Sequence, residues 1–166
     1  MIVLGIDQSY NSTGIVVLDV EVSDNIIYSG KYKSNPEFNR FGQAYEIAMH
    51  ISNVVDTFKP DIVAIEGLAF GMKGNVTRDL GGLQFVIVSH LQEVKKQPVK
   101  IMAPLTVKKY ATGSGRAKKE EMIKALPKHA LNNFLKLGVK KTTGLADLAD
   151  SYWIALTAHN KYKEEQ

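Results

Sequence analysis

The 166 residues include no cysteine, which excludes a disulfide framework and any metal site built on thiolates. Histidine is scarce, and His50, His90, His129 and His159 show no metal-ligand spacing with one another; they are expected to be ordinary surface or core residues, with only His159 late enough in the chain's last helix to approach a site there. Carboxylates are therefore the main strong ligands available, which favours hard, oxygen-binding cations over structural zinc. Long apolar runs are missing too: none approaches the ~20 residues that span a bilayer, and MIVLGIDQSYNSTG has no basic leader before its short apolar run. A soluble, cytoplasmic protein with no membrane partner is expected. Repeats, low-complexity tracts and linkers are absent as well.

What is present is 45% apolar content, enough for one buried core and too little chain for two ordinary domains. The expectation is a single domain over 1–160 and a frayed tail over 161–166. Lys and Arg number 21 against 17 Asp and Glu, a net charge of +4, which mildly favours an anionic partner.

The order of elements follows from the spacing of apolar residues. Ile2 to Asp7 is a short, nearly continuous apolar run, as in a strand buried on both faces. Gly14 to Val20 returns after a turn-rich segment as an antiparallel partner, and Ile26 to Lys33 completes a meander. Phe41, Tyr45, Ala48, Ile51 and Val55 then fall at helical spacing, on a helix that Lys59-Pro60 ends. Asp61 to Glu66 is a further strand, returned parallel to the first by that crossover. Leu80, Leu83, Ile87, Leu91 and Val94 predict a second helix and Val99 to Met102 a fifth strand. Helical patterns follow over Thr106 to Ala111, Lys118 to Leu126 and Leu145 to Asn160. Three antiparallel strands followed by parallel ones, flanked by helices, describe an α/β fold with a five-stranded mixed sheet of ribonuclease H-like type.

Two of these strands end in acids. A carboxylate at the end of a buried strand is costly unless its charge is compensated. If the strands of Asp7 and Glu66 are parallel neighbours, both side chains emerge at the carboxyl edge of the sheet, where open α/β sheets place their sites. Asp147 and Asp150, three apart among small and apolar residues, share one helical face. Taken singly, Asp7 could cap the following turn, Glu66 could pair with a lysine, and the two late acids could favour a helix dipole. Taken together, four carboxylates match an oxygen cage for Mg²⁺, with room for two ions.

GIDQS at 5–9, AIEG at 64–67 and DLADSYWIA at 147–155 resemble the signature of RuvC-type Holliday junction resolvases, in the same order and spacing. The likeness runs to about Asn160 and takes in VKKYATGSGRAKK at 107–119, which resembles that family's basic loop-helix region. The resemblance implies a homodimeric, ribonuclease H-like endonuclease that resolves four-way junctions by paired symmetric nicks, leaving 5′ phosphates and 3′ hydroxyls. It places the metal ions on Asp7, Glu66, Asp147 and Asp150: two Mg²⁺, with Mn²⁺ as a substitute, activating a water and stabilising the departing 3′ oxygen. Lys108 and Lys118, or the neighbouring Lys109 and Lys119, fall near its phosphate-contacting lysines, and Arg116 joins their cluster; Lys140-Lys141 is a further basic pair. Phe70 falls near its aromatic wedge, and the helix of Leu80 to Val94 on its dimer interface. A nucleotide cofactor is not expected.

Other functions remain open on the sequence. A compact variant of the kind also found in bacteriophages could cut forks, flaps and three-way junctions. A sugar or acetate kinase-like ATPase fragment would explain DQSYNSTG, but GSG at 113–115 lacks a phosphate-loop pattern. A catalytically silent DNA-binding module would gain nothing from a buried acidic cluster. Trp153 is expected in the core.

Overall fold

The computed structural model describes residues 1–22, 25–68, 74–139 and 143–166. Strands β1 (Ile2–Asp7), β2 (Thr13–Asp19) and β3 (Asn25–Tyr32) form an antiparallel meander. Helix α1 (Arg40–Phe58) then carries the chain to β4 (Ile62–Glu66), parallel to β1. Helix α2 (Asn75–Ser89), extended by a π-helical turn over His90–Val94, leads to β5 (Val99–Met102), parallel to β4. The sheet order is β3-β2-β1-β4-β5, the mixed five-stranded arrangement expected from the sequence. Helices α3 (Pro104–Thr112), α4 (Lys119–Lys124), α5 (Lys128–Lys136) and α6 (Thr143–Glu164) complete the chain. Among the described residues no helix is long and apolar enough to cross a membrane.

Strand β1 is central because both its faces are apolar. Its alternating side chains feed two cores: Leu4 and Ile6 pack with Ile47 and Ile51 of α1 and Leu83 and Ile87 of α2, while Val3 joins the cluster of α6, with Tyr152 and Ala155. Burying one such Leu or Ile contributes about 1.5–3 kcal/mol. Helix α6 lies directly on β1 and β2 because both strands carry a glycine beneath it. A Cβ at Gly5 would sit 2.1 Å from the Ser151 carbonyl oxygen, and one at Gly14 only 2.4 Å from that of Asp147. No side chain other than hydrogen fits in either place.

Helix α1 starts where the Asn39 side chain accepts from the Gly42 N–H at 2.9 Å and ends at Lys59, whose left-handed φ of 46° precedes Pro60. Its buried face is Ala44, Ile47, Ala48, Ile51, Val54 and Val55. Phe41 and Tyr45, expected on that face, are 84% and 60% exposed, because the smaller Ala44 and Ile47 occupy the sheet-facing positions. Val94 is likewise exposed, on the π-helical turn. Helix α5, not among the helices expected from the sequence, buries Ala130 and Phe134 and packs Leu131 against the same core. A frayed tail was expected over 161–166. Helix α6 continues through Glu164, Lys161 and Lys163 suit the negative end of its dipole, and Glu165 pairs with Lys100 at 2.6 Å.

Candidate active site

The parallel register pairs Ile6 with Ile65, and both face α1 and α2. The next residues, Asp7 and Glu66, must by strand alternation project to the opposite face, toward α6. There Asp150, on the first half of α6, meets them. The three carboxylates line a cleft of about 630 Å³ at the carboxyl edge of the parallel strands, and Gln8, Lys108, Lys118 and Lys119 line it with them.

The electrostatics are those of an acidic cluster that its lysines only partly compensate. Burial, then repulsion from Glu66, Asp150 and Asp147, holds the Asp7 carboxyl well above the usual carboxylate range against the pull of Lys119. Burial and the Asp150 charge push Glu66 up to about 7, with Lys108 and Lys119 opposing. For Asp150 burial again dominates and gives about 6, the Lys119 charge opposing it and Asp147 reinforcing it. A divalent cation would remove all three penalties at once, and an all-oxygen donor set of this charge fits Mg²⁺ or Mn²⁺. Among the described residues no group of three or more His, Asp or Glu side chains stands close enough together to hold a metal ion as it is.

Asp147 departs from the expected arrangement. It does not line the cleft. Its Oδ2 accepts from Ser12 Oγ at 2.7 Å and pairs with Lys31 Nζ at 3.1 Å. Lys31 reaches it from β3, where it lies opposite Gly14 of β2. Of the basic residues, Lys108, Lys118 and Lys119 reach the cleft, whereas Lys109 and Arg116 are exposed and outside its wall. Lys118 stands at the start of α4, its N–H donating to Glu121 Oε2 at 2.7 Å. Phe70 and Lys140-Lys141 lie outside the described residues.

Three contributors had escaped notice in the sequence. Gln8 is buried, and its Nε2 donates to the Glu66 carbonyl oxygen at 3.2 Å; Gln84 of α2 donates to the same oxygen, also at 3.2 Å. The Gln8 Oε1 atom is buried with no hydrogen-bond partner among the described residues. The third is Lys31, far from the other site residues in sequence. Position 8, directly after the first acid, was the one available signal. His50 stacks on Tyr32 at 4.0 Å, and burial lowers its pKa. His159 is not among the cleft's lining residues. Trp153 is core, its Nε1 donating to the Met122 carbonyl oxygen at 3.0 Å.

A carboxylate cleft at the edge of a ribonuclease H-like sheet, rimmed by lysines, defines a nuclease class. The family model for crossover junction endodeoxyribonuclease RuvC matches residues 3–159, and the chain belongs to that family. The RuvC of Neisseria meningitidis serogroup C is 31% identical over 160 residues, covering 93% of this chain and 83% of that one. The structure of Thermus thermophilus RuvC in complex with a Holliday junction substrate superposes with a TM-score of 0.74 at 28% identity, covering 99% of this chain and 96% of that one. The yeast mitochondrial Holliday junction resolvase, at 16% identity, TM-score 0.65 and coverage of 97% and 80%, shares the fold.

Proposed function

We propose that this protein is a metal-dependent endodeoxyribonuclease that resolves four-way DNA junctions by paired symmetric nicks, acting as a homodimer. The observation that carries the reading is the convergence of Asp7, Glu66 and Asp150 in one lysine-rimmed cleft, in a chain of the RuvC family. Asp7, Glu66 and Asp150 would hold the cation, with Asp147 as a fourth donor. When bound, the cation would activate water and stabilise the departing 3′ oxygen, leaving 5′ phosphates and 3′ hydroxyls. Lys108, Lys118 and Lys119 would draw the DNA backbone toward the carboxylates, which alone would repel it. Lys109 and Arg116 would extend that contact along the exposed surface, and Phe70 would be the wedge.

The dimer reading is supported by an apolar groove of about 550 Å³ between α1 and α2, lined by Phe41, Ala44, Phe85 and Val86 among others. Phe41 and Phe85 are 84% and 73% exposed there, and large aromatics this open are the anchors of protein interfaces. A second copy covering the groove would bring two active sites to one junction, as symmetric cutting requires.

The test is cleavage of a labelled four-way junction beside a flap, a three-way junction and linear duplex, in Mg²⁺ or EDTA, with Asp7→Asn as control. Paired nicks confined to the four-way junction and lost with Asp7→Asn or EDTA are the expected result. Cutting of every branched substrate would assign a debranching nuclease, and no metal-dependent cleavage of any would overturn the proposal.

A further inference from the structure

The Asp147 carboxylate already has a cation. Lys31 Nζ stands 3.1 Å from its Oδ2 and Ser12 Oγ donates to the same oxygen at 2.7 Å, so one oxygen of the fourth acid is committed to the protein. The placement is built from three elements. Lys31 lies opposite Gly14 in the β2–β3 ladder, and the missing side chain at Gly14 lets α6 sit close enough for the lysine to reach it. Lys31 Nζ would also lie 3.3 Å from a Cβ at Gly144, so a glycine keeps its path open beside the start of α6. Both partners are largely sheltered, the side chains of Lys31 and Asp147 being 27% and 18% exposed, which limits solvent screening of the pair.

We infer that Lys31 is a positioning residue that holds Asp147 out of the cleft and sets the order of cation binding: Asp7, Glu66 and Asp150 take a first ion, and a second is admitted only when the Lys31–Asp147 pair opens. The inference rests on the metal-binding reading of the cleft and concerns a group that does not line it. A lysine and a divalent cation compete for one carboxylate, so the second ion binds more weakly than the first by the stability of that pair. Ser12 keeps Asp147 oriented, and loss of its hydroxyl weakens the hold without removing charge.

The experiment is calorimetric titration of the full chain with Mn²⁺, in the absence of DNA, with bound ions counted by electron paramagnetic resonance. The unaltered protein is expected to bind one ion tightly and a second weakly. Lys31→Met should tighten the second step by about tenfold, as when one fixed cation is removed from beside a carboxylate, and leave the first unchanged. Lys31→Arg, which keeps the cation, should restore the weak second step, and Ser12→Ala should shift it in the same direction as Lys31→Met by a smaller factor. Asp147→Asn should remove the second step alone. A second step unchanged or weakened in both Lys31→Met and Ser12→Ala would overturn the inference while leaving the cleft reading intact; no Mn²⁺ binding by the unaltered chain would overturn both.

Discussion

Ile6 and Ile65 are register partners on adjacent parallel strands, and this pairing places Asp7 and Glu66, one residue further along each chain, side by side at the sheet edge. A slip of one residue in β4 would turn Glu66 toward α1 and α2 and bury a carboxylate in an apolar core. The register is held by the hydrophobic pattern, and the site inherits its geometry from it.

The acidic cluster should make the metal-free protein less stable at neutral than at mildly acidic pH. Folded pKa values raised from 4.5 to about 7 at Glu66 and from 3.8 to about 6 at Asp150 mean that the native state binds more protons than the unfolded one between those limits. Stability is therefore present in full below about pH 4 and lost as pH rises through 6 and 7. In EDTA the melting temperature should fall by about 5 °C between pH 5 and pH 8, and Mg²⁺ should recover it. Asp150→Asn should melt higher than the unaltered protein in EDTA at pH 8 while losing cleavage. A flat profile of melting temperature against pH would contradict this.

Gly14→Ala should disarm the site without touching a charged atom. Its Cβ would lie 2.4 Å from the Asp147 carbonyl oxygen and 2.5 Å from Ser151 Oγ, so α6 must lift from the sheet and carry Asp147 and Asp150 with it. Overpacking of this kind costs about 1–3 kcal/mol, and misplacement by about 1 Å costs on the order of 10²-fold in rate. Thermal melting and junction cleavage would read the two effects separately.

Lys119 and Lys109 should behave differently. Lys119 reaches the cleft and opposes the raised pKa of all three carboxylates, whereas Lys109 is exposed and outside it. Each alanine variant should lower the salt dependence of junction binding by about one unit of slope. Only Lys119→Ala should also slow single-turnover cleavage at saturating DNA, and equal rates for the two variants would refute the distinction.

Phe85→Glu should yield a folded monomer. The ring is 73% exposed beside Phe41 in the α1–α2 groove, so the change removes no core contact but places a charge where a second copy would pack. Light scattering should show half the mass of the unaltered protein, and junctions should be nicked on one strand at a time. Retention of the dimer would put the interface elsewhere.

Much of this was legible in the sequence because strand periodicity and the price of a buried charge are local signals. IVLGID and DIVAIE both announce a buried run that ends in an acid, and Asp147 and Asp150 share a helical face by spacing alone. Side-chain size along α1 was not legible in the same way. The stripe through Phe41 and Tyr45 has helical spacing, yet Ala44 and Ile47 fit the close approach to the sheet and the aromatics are left outside. Helix α5 does carry a stripe, Ala130, Leu131, Phe134 and Leu135 at helical spacing, but a short one, within nine residues between Pro127 and Leu137. The pairing of Lys31 with Asp147 and the double grip on the Glu66 carbonyl depend on which strands become neighbours, and no local pattern encodes that.

Gln84 belongs to the same helix as Phe85, one residue before it, and its amide holds the main chain of Glu66. The groove-facing helix and the acidic cleft are therefore joined by the Gln84 bond to the Glu66 carbonyl oxygen and by Leu80, which lines the cleft from α2. Any sliding or rotation of α2 against the sheet pulls on the backbone of Glu66 through the Gln84 hydrogen bond. Whatever settles on the outer side of that helix has a lever on the chemistry within.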